Sequence, residues 1–190
     1  MSQGLPHTAL GPTLETERLL LRPPTAEDFD AWAELMADET QTRFIGGTQP
    51  AAVVWRGVMA MIGSWASQGY AMFSVIERST GCWVGRVGPW QPYGWPGAEI
   101  GWTLTAAASG KGYATEAANA TMDWAFEVLD WPEVIHSIDP ANAPSIAVAR
   151  RLGSRYLRTG CELPPPFEAT EVQIWGQTRE EWRARRSAGA

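Results

Sequence analysis

The segment TAAASGKGYATEA, Thr105–Ala117, is nearly free of bulk in a chain that carries 11 tryptophans. Small residues let a ligand come close to the main chain. Gly110 and Gly112 stand just before a helix-like run, and a turn that exposes successive N–H groups at a helix start is an anion site. An anion there gains roughly 0.3–1 kcal/mol, more when partly buried. Ala114 extends the bare stretch beyond the two glycines. The nucleotide templates fail here. The Walker loop needs Ser or Thr after GK, and the residue after Gly112 is Tyr113. The dinucleotide fingerprint needs a third Gly or Ala where Thr115 stands. Spacing alone leaves two readings open: an anion cradle, or a helix N-terminus with permissive glycines.

Two other places carry groups able to move protons. In AEIGWTL, strand alternation puts Ile100, Trp102 and Leu104 on one face and Glu99, Gly101 and Thr103 on the other. A carboxylate among glycines and tryptophans loses water, and its pKa then rises toward a value suited to a general base. The competing reading is a solvated strand glutamate. Asn142 and Ser145 lie three apart at a helix start, on one face. There Ser145 can donate a proton, or both residues can serve as capping groups. Trp90, Tyr93 and Trp95 fall in a breaker-rich loop beside Glu99, where they either contact an ammonium through their rings or pack beneath the loop. Trp83 and Trp102 are strand-borne and expected in the core. His136, between Ile135 and Ser137, fits a structural histidine. Cys82 and Cys161 lack a basic neighbour to activate them. No His, Cys or carboxylate cluster has metal-ligand spacing, so no metal is expected.

These groups need a scaffold. The 190 residues fit one domain able to bury a sizeable core. Residues 1–13 are expected as a flexible arm and 14–190 as the domain. RLLLR, Arg18–Arg22, predicts a strand. A helix follows, with Thr25 as its cap and Phe29, Trp32, Leu35 and Met36 at helical spacing. A second helix carries Val54, Val58, Met61 and Trp65 on one face and ends at Gly69. YAMFSVIE and CWVGRVGPW predict a hairpin joined by RSTG, and AEIGWTL a third strand. A helix then runs to about Leu129, with Ala117, Ala118, Thr121, Met122, Ala125 and Phe126 facing the core. EVIHSID predicts a strand, NAPSIAVARRLG a short helix stopped by Gly153, and EVQIWG a late strand. TREEWRARR opens with a capping box, Thr178 and Glu181. This order predicts an α/β fold, a mixed sheet with helices on both faces.

The formal charge of −6 argues against a nucleic-acid surface. Fourteen of the fifteen basic residues are arginines, and Lys111 is the one lysine. No 18-residue apolar run occurs, so no membrane span is expected. The N-terminus lacks a basic region followed by an apolar core. With two isolated thiols this predicts a reducing, cytoplasmic setting.

SGKGYATEA resembles the acyl-coenzyme A motif of the GNAT superfamily of N-acetyltransferases, most closely the branch of the ribosomal-protein-alanine N-acetyltransferases. LETERLLLRPPTAEDFDAW, AEIGWTL and NAPSIAVARRLG are similar to further motifs of that family, in the same order from about Leu14 to Gly153. The resemblance implies a central sheet of about 6–7 strands and acetyl-CoA as cosubstrate. It implies that Ser109, Gly110, Lys111, Gly112, Tyr113, Ala114 and Thr115 cradle the pyrophosphate. Trp102, Thr103 and Leu104 would pair with the pantetheine arm and supply an oxyanion donor, with Asn142 and Ser145 beside that arm. Glu99 would be the base, directly or through water, and Ser145 the acid. The acceptor, a protein N-terminus or a small amine, is expected from the residues themselves, not from the resemblance, to meet the loop aromatics Trp90, Tyr93 and Trp95 and, between the first two helices, Phe44 and Ile45. Two positions depart from the family pattern. Ser109 stands where Gln or Arg is usual, and Ala149 where many members carry Tyr. The alternative is a non-catalytic coenzyme-binding module. A monomer or homodimer would suit either reading.

Overall fold

Alternation in LLLR and FSVIE turns Leu19, Leu21, Phe73 and Val75 to one face, where all four are fully buried. The computed structural model describes residues 10–188. Its sheet is built from β1 (Leu14–Glu15), β2 (Leu19–Arg22), β3 (Phe73–Glu77), β4 (Trp83–Trp90), β5 (Glu99–Leu104), β6 (Glu133–Ile138), β7 (Arg155–Gly160) and β8 (Val172–Thr178). The spatial order is β1-β2-β3-β4-β5-β6-β8-β7. Every pairing is antiparallel except β5 with β6, so the sheet is mixed, as expected. Eight strands replace the expected six or seven. β1 is two residues long, and β7 is an edge strand with little buried surface, so neither has the alternating apolar signal of a half-buried strand.

Helices cover both faces. α1 (Phe29–Ala37) and α3 (Ala51–Gln68) lie on one side, where Trp32 of α1 stacks on Trp83 at 6.0 Å. α4 (Tyr113–Glu127) lies on the other, where Trp124 meets Phe73 edge-on at 5.4 Å. Trp65, at the end of α3, closes the sheet edge by packing on both Phe73 and Trp124. Its indole N–H donates to Met72 O at 3.1 Å. Gly69 ends α3 in the left-handed region, φ 77°, as its position predicted. Gly11, inside the segment expected as a loose arm, rests directly on the Trp65 ring. Residues 1–9 of that segment lie outside the described residues.

α2 (Glu39–Thr42), α5 (Ala143–Arg151) and α6 (Arg179–Ala188) complete the helices. The short α2 is capped by Asp38, which accepts from the amides of Thr40 and Gln41. The Thr178–Glu181 capping box opens α6 with both reciprocal bonds, at 2.8 and 3.2 Å. Thr25 stands at the N-cap position as expected, but its hydroxyl has no hydrogen-bond partner. Instead Asp28 accepts from the Thr25 amide at 2.9 Å, because Arg22 and Ser74 hold its carboxylate at that end of the turn.

Two irregularities shape the region of interest. The register shifts between β3 and β4, opposite Gly85, while the β4–β5 ladder is regular throughout. β5 and β6 pair at one position only, Glu99 with Ile135, and then separate. The bulge thus lies outside the central strand, and the opening is a divergence of two parallel strands.

Candidate active site

β5 connects two cavities. The first, about 690 Å³, is lined by Glu99, Trp102, Thr103, Asn142 and Ser145 together with Phe44, Ile45, Trp90, Tyr93 and Trp95. The second, about 540 Å³, is lined by Leu104, Gly110, Gly112, Tyr113, Ala114 and Thr115. Most residues singled out in the sequence therefore converge on one strand and its ends. Ser109 and Lys111 line neither cavity. Ser109 Oγ donates to Thr105 O at 3.1 Å, and Lys111 Nζ lies 3.9 Å from Glu77.

The cradle forms because Gly110 and Gly112 adopt φ of 77° and 82°, a conformation side chains disfavour. A Cβ at Gly110 would meet nothing within 4 Å, so the main chain there is bare. Gly112 is the N-cap of α4 and offers no side-chain cap. Among the described residues, no amide from Gly110 to Thr115 donates to a protein acceptor. The turn is anchored from behind. Arg18 Nη1 donates to Lys111 O at 3.0 Å, and its guanidinium lies 4.7 Å from the Tyr113 ring centroid. Glu116, in the first turn of α4, accepts from Thr16 Oγ1, the Arg18 amide and Arg18 Nε. Burial works against the charge on Glu116, but these bonds hold its pKa below the ordinary value. Tyr113 donates its hydroxyl to Glu77 Oε1.

Glu99 is 7% exposed at the start of β5. Burial pushes its pKa up to about 7, against the hydrogen bonds that favour the carboxylate. Trp95 Nε1 and Ser137 Oγ both donate to Oε2 at 2.7 Å. Oε1 accepts no hydrogen bond among the described residues. It lies 3.5 Å from where a Cβ would stand at Gly101, and Met72 Cε lies 2.6 Å from the same point, so the absent side chain lets the Met72 methyl pack beside the carboxylate. Of the loop aromatics, Trp95 grips the carboxylate and Trp90 meets Trp95 edge-on at 6.5 Å, while Tyr93 stands fully exposed at the rim. Trp83 is only half-buried, against Trp32 and the core.

Ser145 sits in the first turn of α5, where its amide donates to Asn142 Oδ1 at 3.2 Å. Asn142 thus does cap the helix. Trp102 Nε1 donates to Ser145 Oγ at 3.2 Å, which leaves the hydroxyl proton free. Ala149 is fully buried in a cluster with Ile138 and Trp175. His136 is structural: Nδ1 donates to Ile100 O at 2.7 Å and neutral Nε2 accepts from Ser154 Oγ at 2.9 Å. Burial pushes its pKa down to about 4. That ring occupies the carbonyl of Ile100 where β6 backbone would have paired. Thr105 N–H donates to Val84 on the β4 side, so by alternation the amides of Trp102 and Leu104 face the opening.

Sequence reasoning missed Ser137, Arg86, Arg151 and the wall formed by residues 161–171. Arg151 lines the cradle cavity, and Phe167 lies against Gly46 across the other cavity. Alternation in EVIHSID placed Ser137 on the Ile135 face, but its approach to Glu99 depends on the β5–β6 pairing. Among the described residues there is no cluster of metal-ligating side chains, and no helix is long and apolar enough to cross a membrane.

Known proteins share this architecture. An uncharacterized N-acetyltransferase of Bacillus subtilis strain 168, YnaD, is 29% identical over 174 residues, 89% of this chain and 98% of its own. A second uncharacterized N-acetyltransferase, p20 of Bacillus licheniformis, is 33% identical over 143 residues, covering 74% of this chain and 80% of its own. The crystal structure of an acetyltransferase from Agrobacterium tumefaciens strain C58 superposes with a TM-score of 0.77 at 30% identity, over 94% of this chain and 100% of that one. The family model for the acetyltransferase (GNAT) domain matches residues 18–155, which run from the Arg18 anchor of the cradle through β5 and α5 to the first residue of β7. With the bare cradle, the diverging strands and these relatives in agreement, the chain is a member of the GNAT acetyltransferase family.

Proposed function

We propose that the protein transfers an acetyl group from acetyl-CoA to a primary amine, either of a small molecule or of a protein N-terminus, by direct attack. The observation that carries this reading is Glu99: a buried carboxylate with a pKa of about 7 and a free Oε1, facing a cavity on the strand that leads to the cradle. The fit to the coenzyme rests on the open space at Gly110 and the acceptor-free amides beside it. Amides from Gly110 to Thr115 would hold its diphosphate, with Arg151 nearby. The edge of β5 at Trp102 and Leu104 would receive its pantetheine arm as an added strand.

When bound, acetyl-CoA supplies the acetyl group as an activated thioester. Glu99 Oε1 takes the proton from the incoming amine, directly or through water. The Trp102 or Leu104 amide offers a hydrogen bond to the carbonyl oxygen as charge builds on it. Ser145 Oγ, which accepts from the Trp102 indole, gives its proton to the departing sulfur. The side chain at position 149 takes no part, being sealed in the core.

The test is release of free thiol from acetyl-CoA in the presence of a panel of amines. Glu99→Gln and Ser145→Ala should each lower kcat while leaving coenzyme affinity within a few-fold of wild type. Coenzyme binding with no turnover of any amine would instead identify a binding module.

A further inference from the structure

Arg86, in the middle of β4, is the feature of the larger cavity that acetyl transfer does not use. Its side chain lines that cavity, and its guanidinium carbon lies 5.0 Å from the centroid of the Trp32 ring. Among the described residues it makes no ion pair, and its sealed Nε has no hydrogen-bond partner. Burial lowers its pKa to about 10, so it remains a cation at neutral pH. Arg86 is half-buried, with its Nε sealed from solvent, and a guanidinium partly withdrawn from water without a counter-ion is left under-satisfied unless a bound group completes it. The obvious carboxylate is already committed: Asp28 is held by Arg22, Ser74 and the Thr25 amide. The neighbouring Ser74, directly across from Arg86 in the ladder, donates to Asp28 as well and accepts from Trp83.

Arg86 and Glu99 share one face of the sheet. Arg86 pairs with Thr103 and Trp90 pairs with Glu99, so the two sites lie four residues apart along the strands. That is roughly 13 Å between backbones, and both side chains line the same cavity. A volume of about 690 Å³ with walls of Trp32, Phe44 and Trp90 suits a small molecule.

We propose that Arg86 binds an anionic group on the acceptor, so that the substrate is a small amine that also bears a carboxylate or a phosphate. This assignment rests on the acetyl-transfer reading above. The amine lies at Glu99 and the anion at Arg86, with a short aliphatic or aromatic spacer against the tryptophans. Arg86 is thus a specificity residue. A guanidinium built to receive an anion rejects an uncharged isostere, because its own donors then stay unpaired.

The experiment is calorimetry on the protein saturated with coenzyme A. The probes are glycine and the longer ω-amino acids, their carboxamides, the aminoalkyl phosphates, and a peptide with an uncharged N-terminal segment. Thiol release from acetyl-CoA is followed in parallel. At least one anionic probe should bind roughly tenfold or more tightly than its carboxamide. That preference should vanish in Arg86→Gln and return in part in Arg86→Lys. Preference for phosphates over carboxylates, or the reverse, identifies the anion. Equal or undetectable binding of each acid and its amide overturns the assignment. So does an unchanged preference in Arg86→Gln, or tighter binding of the uncharged peptide than of every small acid. If Arg86→Gln fails to fold, the comparison of acids with amides in wild type decides alone. Anion-selective binding without thiol release would support Arg86 and refute acetyl transfer. Thiol release with no anion selectivity would do the opposite.

Discussion

On the proposed mechanism, Glu99 must lose its proton before it can accept one from an amine. With a pKa of about 7, it is mostly protonated in acid and free above neutrality. The rate kcat/KM should therefore rise with pH and level off above about 7, and this limb should stay fixed when the acceptor is changed. The acceptor's own ammonium adds a second limb that moves with the amine. Glu99→Gln should lower kcat by roughly 10²–10⁴ and abolish the fixed limb, as pH–rate profiles on two acceptors would show. The same group marks stability. A carboxyl held above its ordinary value of 4.5 stabilises the fold below that pH, and the contribution is lost as pH rises through about 7. His136 acts in the opposite sense. Held down at about 4, it contributes stability above 6.5 that is lost as pH falls through 4. The two windows overlap, so wild-type Tm should be nearly flat between pH 4.5 and 6.5. In Glu99→Gln, Tm should climb with pH over that window, because only the histidine contribution remains. A scan of Tm against pH checks it, and parallel curves for the two proteins would contradict the assignment. At this scale the sequence was partly informative. Glu99, Asn142 and Ser145 stood in recognisable local patterns, and His136 is the structural histidine expected, whereas the grip of Trp95 on Glu99 was not among its expected roles. Arg86 gave no signal, since its lack of a partner is a fact about residues far from it in the chain.

At the scale of elements, the cradle is a turn held in a conformation that only glycine adopts easily. Placing a side chain at Gly112, φ 82°, costs about 1–2 kcal/mol if the turn is to survive. The added Cβ would meet only Arg18 Nη2, at 3.5 Å, so strain rather than collision is the effect. Gly112→Ala should weaken coenzyme A binding about tenfold, measured by calorimetry, with a small fall in Tm. The anchor behind the turn predicts a related result. Glu116→Ala removes the acceptor of three bonds from Thr16 and Arg18. It should cost roughly 1–3 kcal/mol in chemical denaturation, and it should weaken coenzyme binding although Glu116 itself faces away from the cavity. Helix faces were the most legible part of the chain. The apolar positions of α3 and α4 recur at helical spacing, and every core residue expected on them is buried. The strand β7 was illegible for the converse reason: RYLRTG buries little, so it has no alternation to detect.

At the scale of the whole molecule, the proposed function depends on one of the sheet's irregularities, the parting of β5 from β6. β5 pairs along its full length with β4 but at one position with β6, so a strand edge opens between the cradle and Glu99. The His136 side chain keeps that opening by taking the Ile100 carbonyl. No local pattern encodes such a separation. It arises where a parallel crossover meets a hairpin, and the walls of the larger cavity come from α1, the loop after α2, α3, β4, the loop after β4 and residues 161–171. The order of motifs revealed the family, while the acceptor chamber needed the fold. The account as a whole is tested most directly by a crystal structure with acetyl-CoA bound. It predicts the diphosphate within hydrogen-bonding distance of the Gly110–Thr115 amides, the pantetheine arm along the free edge of β5, and the thioester between Glu99 and Ser145. A coenzyme bound elsewhere, or one whose thioester points away from Glu99, would contradict it.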